Sequence, residues 1–202
     1  MAQNVTFLIG FVMAVVQEQS APPITLPPVI DVEPLRIIRR SEWGAQPPRH
    51  PALPLSVIPP PYVIISHTAS EPCSTQAECS QHVRTSQTMH MEWNKWDDIA
   101  FNFLVGGDGN VYLGRGWDVQ GAHTFNNNNK SIGISFIGTF NQVAPNEKQL
   151  LAAQRLLKLG VEEGKLSKDY KLLGQRQLTE TLSPGNSLYK IIQTWPHWTE
   201  NP

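Results

Sequence analysis

Cationic excess is missing from this chain: sixteen Lys and Arg face seventeen Asp and Glu over 202 residues, for a net charge of −1. No long basic or acidic block breaks that balance. This argues against nucleic acid as a partner, while leaving room for a local basic groove. Cysteine is almost absent. Cys73 and Cys79 are the only two, and C-x5-C is not a usual zinc-knuckle or thioredoxin spacing. They read as two free buried thiols or, in an exported chain, as one local disulfide. Such a bridge closes a small loop, with an entropic effect of about 2–3 kcal/mol. Long apolar runs are also lacking. Residues 5–16 (VTFLIGFVMAVV) form a run of 12, short of the ~20 that span a bilayer comfortably. The run fits the h-region of a signal peptide. No Lys or Arg precedes it, however, and no clean A-x-A site precedes Gln17, so a membrane anchor and a splice-variant leader are the other readings.

What is present describes an ordinary globular protein, 40% hydrophobic and 16% charged. The length suits one domain plus a short extension, with a core that needs no staples. Three regions are expected: an apolar leader (1–20), a Pro-rich linker (21–35, APPITLPPVIDVEP and its neighbour) and the domain proper (36–202). A second Pro-rich stretch, 47–61, reads as irregular surface chain. YVIIS (62–66) is a short buried strand. Residues 75 to about 93 lack Gly and Pro and place Cys79, Val83, Ser86 and His90 on one helical face. Residues 101–105 and 111–113 flank GGDGN, a hairpin signal. SIGISFIGTF (131–140) is another strand, its glycines marking close approach of backbone or ligand. The clearest helix is 147–159, with Leu150, Ala153 and Leu157 on one face, Leu151 and Leu156 extending it, and Gly160 at its end. Residues 171–173 form a short strand. Leu188, Ile191, Ile192 and Trp195 repeat at helical spacing before Pro196. The fold class is therefore α/β: a single mixed central sheet flanked by about three helices.

At Ser66-His67-Thr68-Ala69 the pattern becomes specific. In order along the chain stand RSEWGAQ (40–46), ISHTA (65–69), the Cys73/Cys79 loop, DIAFNFLVGGDGNVYLGRGW (98–117), GAHT (121–124), SIGISFIGTF, LLGQRQ (172–177), SPGNSLY (183–189) and WPHW (195–198). Over about residues 36–200 the chain resembles the peptidoglycan recognition protein family, whose domain is similar to the bacteriophage-type zinc N-acetylmuramoyl-L-alanine amidases. The resemblance implies that active members hold zinc by two His and one Cys, leaving one place for a water whose pKa the metal lowers, with a Tyr assisting. Here the first His of H-H-T-A is Ser66, the His of G-H-R is Gln175, the Cys of C-P-G is Ser183 and the Tyr of I-G-Y-N-F is Phe101. A neutral hydroxyl or amide oxygen is a poor zinc ligand beside imidazole or thiolate, and Phe101 has no hydroxyl to offer an oxyanion. No H-x3-H pair among the six histidines supplies another metal site, and no G-x-S-x-G or S-x-x-K context surrounds Ser66 or Ser183. The expectation is a non-enzyme with no cofactor.

A cleft stripped of its metal keeps its shape and hydrogen-bonding groups, and binding needs no transition-state stabilisation. The resemblance places His67, Thr68, His123, Thr124 and Asn128 near a muropeptide. Members that read diaminopimelic acid resemble this chain in a Trp before D-I-G-Y and an Arg in G-R-G-W, matched here by Trp96 and Arg115. A guanidinium fork can hold the extra carboxylate bidentately, and Trp96 offers an apolar wall. Lys95 stands where the family has Gly, and Asn127 where it has a cleft aromatic. Asn129-Lys130-Ser131 is a glycosylation sequon in a secreted chain. The expected function is an innate-immune receptor for bacterial peptidoglycan, secreted or on the outer face of the plasma membrane, alone or paired with a related receptor as homo- or hetero-dimer. The alternative, which Lys95 and Asn127 favour, is a co-receptor that regulates such a partner without binding ligand itself.

Overall fold

A computed structural model describes residues 34–202. The leader and nearly all of the Pro-rich linker lie outside the described residues. Six strands form one sheet in the order β1-β4-β3-β5-β2-β6: β1 (Ile37–Ile38), β2 (Tyr62–His67), β3 (Phe103–Val105), β4 (Val111–Leu113), β5 (Ser131–Phe136) and β6 (Lys171–Gly174). Only β3 and β4, joined through the glycine-rich turn, run antiparallel; the other pairs are parallel. The helices are the single turn α1 (Arg40–Trp43), α2 (Gln76–Thr88), α3 (Glu147–Glu162) and α4 (Asn186–Ile192). The mixed sheet with flanking helices is the one expected from sequence. Among the described residues no helix is long and apolar enough to cross a membrane.

Strand alternation sorts the sheet into two unequal faces. On one, Val63, Ile65, Phe103, Val105, Ile132, Ile134 and Phe136 pack against Ala152, Ala153, Leu156 and Leu157 of α3 and Leu188 and Ile192 of α4. On the other, Ile38, Leu104 and Tyr112 pack beneath Cys79 and Val83 of α2, with Trp43 and Ile99. This second cluster draws on β1, β4 and β3 but on none of β5, β2 or β6. On the β5, β2 and β6 half of that face small or polar residues (Ser66, Ser131, Gly133, Ser135) alternate with Ile64 and Leu173. Register pairs Ser66 with Ser135 and Ile64 with Gly133.

Several boundaries differ from the sequence reading for identifiable reasons. Helix α2 begins on a capping box, in which Thr75 accepts from the Glu78 amide and Glu78 accepts from the Thr75 amide. After Thr88 it widens into one π turn, Met89–Trp93. Its buried face carries Gln87 instead of Ser86, because the Gln87 amide is fully used: it donates to Gln46 O and Asp98 Oδ1 and accepts from the Gln46 N–H. Gly160 does not end α3. A Cβ there would lie 2.6 Å from the Trp117 ring, so this glycine makes room for a packed indole, and Gly164 (φ 67°) closes the segment instead. Helix α4 stops at Ile192, before Trp195. Cys73 and Cys79 form the disulfide, with Cα atoms 5.1 Å apart.

One buried amide fastens the centre. Asn102, fully buried, donates to the carbonyls of Gly116 (2.7 Å) and Val119 (3.0 Å) and accepts from the Gly133 N–H (2.9 Å). Replacing it with Ala strands two carbonyls and one amide. Asn102→Ala is expected to cost about 3 kcal/mol, and thermal unfolding should show Tm lower by roughly 6–12 °C.

Candidate functional site

The β5, β2 and β6 half of that sheet face carries the positions singled out in the sequence. Ser66 ends the inward row of β2 and is buried. Gln175 follows β6, one step beyond the Ile65–Gly174 pair. Ser183 reaches the same end of the strands, where its Oγ accepts from the His67 N–H at 3.1 Å and its carbonyl from the Arg176 N–H at 3.0 Å. The fold thus gathers Ser66, Gln175 and Ser183, distant in sequence, at the C-terminal ends of β2 and β6. Two hydroxyls and one amide do not fit a zinc ion, and the Gln175 amide donates to the His123 carbonyl at 2.7 Å. Among the described residues no group of three or more His, Cys, Asp or Glu side chains is arranged to hold a metal.

His123 lies flat on the floor of this region. A Cβ at Gly121 or at Gly133 would sit 2.3 Å from its ring, so both glycines are required by the imidazole's close approach. The Thr124 hydroxyl is 3.1 Å from Nδ1. Asn128 Oδ1 accepts from the N–H groups of both His123 and Thr124, each at 2.9 Å, which fixes that rim. Nε2 of His123, Oγ of Ser66 and Oγ of Ser135 are buried without a hydrogen-bond partner among the described residues. Three buried polar atoms on one face thus have hydrogen-bonding capacity that the protein itself does not use.

His67 and Thr68 brace the neighbouring edge. His67 Nδ1 accepts from the Phe140 N–H at 3.2 Å, and burial, then Arg176, lowers its pKa. Thr68 Oγ1 accepts from the Gly138 N–H at 3.0 Å. Opposite, the π turn delivers Trp96 onto His90, ring centroids 5.2 Å apart, while Phe101 meets His90 edge-on at 5.4 Å. Trp96 keeps about a third of its surface exposed, as an accessible wall requires. Lys95 adopts φ 61°, a left-handed conformation that glycine takes without penalty and lysine does not. Asn127 donates to the Phe125 carbonyl at 3.2 Å.

Arg115 occupies a different environment from the free fork expected. Its Nε donates to Ile99 O at 2.7 Å, Nη1 to Gln120 O at 3.0 Å and Nη2, the least engaged, to Asp98 O at 3.5 Å. Burial lowers its pKa. The nearby Asp98 carboxylate serves Arg40 at 3.0 Å instead, with Gln87 Nε2 and the Ile99 N–H as its other donors. Sequence reasoning marked Gly133 for close approach but missed His90, Asp98 and Ser135 as parts of this region. His90 was visible on the apolar face of α2, and the alternation of small residues in SIGIS marked Gly133 and Ser135.

Burial drives the pKa of His123 down to about 3 and of His90 down to about 4, Arg115 adding to both and Asp98 opposing at His90. Both rings stay neutral in the fold. Between the unfolded value near 6.5 and those lowered values the unfolded chain binds more protons, so acid destabilises the domain. Each ring contributes up to about 1.4 kcal/mol per pH unit there. Chemical denaturation from pH 7 to pH 4 should show a steady loss of stability below pH about 6.5, with a shallower slope in His90→Gln.

Residues 56–186 match the family described as N-acetylmuramoyl-L-alanine amidase. Peptidoglycan-recognition protein SD of Drosophila melanogaster is 44% identical over 164 residues, 81% of this chain and 88% of that one. The fold superposes with TM-score 0.81 and 51% identity on a chain from the ectodomain complex of peptidoglycan recognition proteins LCa and LCx bound to tracheal cytotoxin, covering 83% of this chain and 100% of that one. Peptidoglycan recognition protein LE, solved with tracheal cytotoxin, a monomeric diaminopimelic acid-type peptidoglycan, superposes with TM-score 0.80 at 48% identity over 81% of this chain and 96% of that one. With a family match over more than half of its length and relatives above 40% identical over four fifths of it, the chain belongs to the peptidoglycan recognition protein family.

Proposed function

We propose that this domain is a secreted or surface-held receptor that binds the peptide-bearing unit of bacterial peptidoglycan without cleaving it. The observation that carries the reading is the trio Ser66, Gln175 and Ser183 at the ends of β2 and β6. Amidase chemistry at that spot needs a Lewis acid and an activated water, and these side chains supply neither. Phe101, buried against His90, offers no hydroxyl. The polar atoms of Ser66, Ser135 and His123 that the fold leaves unpaired lie buried beneath this spot.

Trp96 and Arg115 support a preference for diaminopimelic acid. The relative solved with that ligand type shares 48% identity with this chain. For Arg115 to take a ligand carboxylate, its weakly engaged Nη2 is the donor to use. Losing such a charge-assisted bond costs about 1–3 kcal/mol, so Arg115→Val should reduce the preference for diaminopimelate over lysine muropeptides by roughly ten- to a hundred-fold in calorimetric titration. An unchanged ratio overturns the assignment. Lys95 in a left-handed backbone and the commitment of Arg115 to carbonyls favour a second reading, a co-receptor that acts through a related receptor. No binding of either muropeptide by this domain, with recognition appearing once a related receptor is added, selects that reading.

Catalysis is tested by reconstruction. The wild-type chain with added zinc should leave a diaminopimelate muropeptide intact by mass spectrometry. Ser66→His, Phe101→Tyr, Gln175→His and Ser183→Cys combined should restore metal binding and slow release of the peptide, whereas any one alone should not, because a single imidazole or thiolate does not make a three-ligand site. Zinc-dependent cleavage by the wild type ends the receptor-only reading.

A further inference from the structure

We propose that Asn129 carries an N-linked glycan, added before the domain folds, and that this glycan shelters exposed apolar side chains beside it. The proposal rests on the secreted reading of the chain. Asn129-Lys130-Ser131 is an N-x-S sequon on the turn Asn128–Lys130 that precedes β5. Asn129 is exposed, and its side-chain amide makes no hydrogen bond among the described residues. Its backbone carbonyl accepts from the Ser56 N–H at 2.8 Å, which holds the 53–58 loop beside it.

That neighbourhood is unusually apolar for solvent. Leu53 is 66% exposed, Ile58 58%, Val57 46% and Phe125, four residues before the sequon, 83%. Leu53, Val57 and Ile58 share the loop that the Ser56 N–H ties to Asn129, and exposed apolar side chains gathered in one place mark either an interface or an aggregation liability. A branched glycan anchored among these side chains covers them with hydroxyls. Asn129 adjoins the Asn128 rim but sits at the other end of the strands from Ser66 and Ser135. Ser131 pairs with Tyr62, whereas Ser135 pairs with Ser66, and four residues of strand separate the two levels by about 13 Å.

Timing follows from the third residue of the sequon. Ser131 is fully buried, and its Oγ donates to the Asn127 carbonyl at 2.6 Å. A transferase that reads the sequon hydroxyl meets it only before β5 docks. The reaction joins the Asn129 amide nitrogen to the anomeric carbon of a lipid-linked oligosaccharide pyrophosphate. The carbon–oxygen bond to the pyrophosphate breaks, the lipid pyrophosphate leaves with the bonding pair, and the amide releases a proton.

The test expresses the full chain in insect cells, once with its own leader and once behind an unrelated signal peptide. Peptide-N-glycosidase should convert Asn129 to Asp, located by peptide mass spectrometry, and Asn129→Gln and Ser131→Ala should each abolish that glycan. Residues 4–6 (NVT) form a second sequon in the leader, which is why the modified residue must be located and not inferred from mobility. Folded chain made in bacteria should be refused by purified oligosaccharyltransferase, and the same chain accepted when unfolded. Asn129→Gln should bind about two-fold more of an apolar fluorescent dye. An unmodified Asn129 with either leader overturns the site, modification of the folded chain overturns the timing, and unchanged dye binding overturns the sheltering role.

Discussion

Much of the site hangs on the side chain of Asn102. Its amide takes the Gly133 N–H from β5 and gives its two hydrogens to the loop that follows β4. That loop carries Arg115, whose own N–H bonds the Phe101 carbonyl and whose guanidinium bonds the Ile99 carbonyl. Gly133 in turn supports the His123 ring. One buried amide thus sets the height of the floor relative to the Arg115 side. A group so placed is worth more for what its loss would leave unpaired than for its own bonds.

Stability and recognition occupy separate layers. The apolar clusters of α3, α4 and α2 satisfy the sheet without using Ser66, Ser135, Gln175 or Ser183. Substitution at Ser66, Ser135, Gln175 or Ser183 therefore leaves those packed clusters intact. The acidic Asp98 shows the same economy: its charge holds Arg40 and the α1 turn, and its peptide carbonyl faces Arg115.

The sequence disclosed the sheet, three of the helices and the disulfide spacing, because each rests on local periodicity or an ordered motif. It did not disclose the fate of Arg115. Three carbonyls from two separate segments converge on that guanidinium, and convergence of backbone leaves no mark in residue type. The end of α3 was misplaced for a related reason: Gly160 signals a cap locally, yet the Trp117 ring from another segment uses the space its missing side chain leaves. The left-handed backbone at Lys95 was legible only as a departure from a family glycine.

His123 between Gly121 and Gly133 has a consequence for how this family drifts. A side chain at either glycine collides with the ring, and a smaller residue at 123 opens a void over both. Each single step leads downhill in stability, so these three positions are held together as a mutational lock. Ser66, Gln175 and Ser183 are not among the atoms nearest either glycine, so substitution there leaves that lock intact.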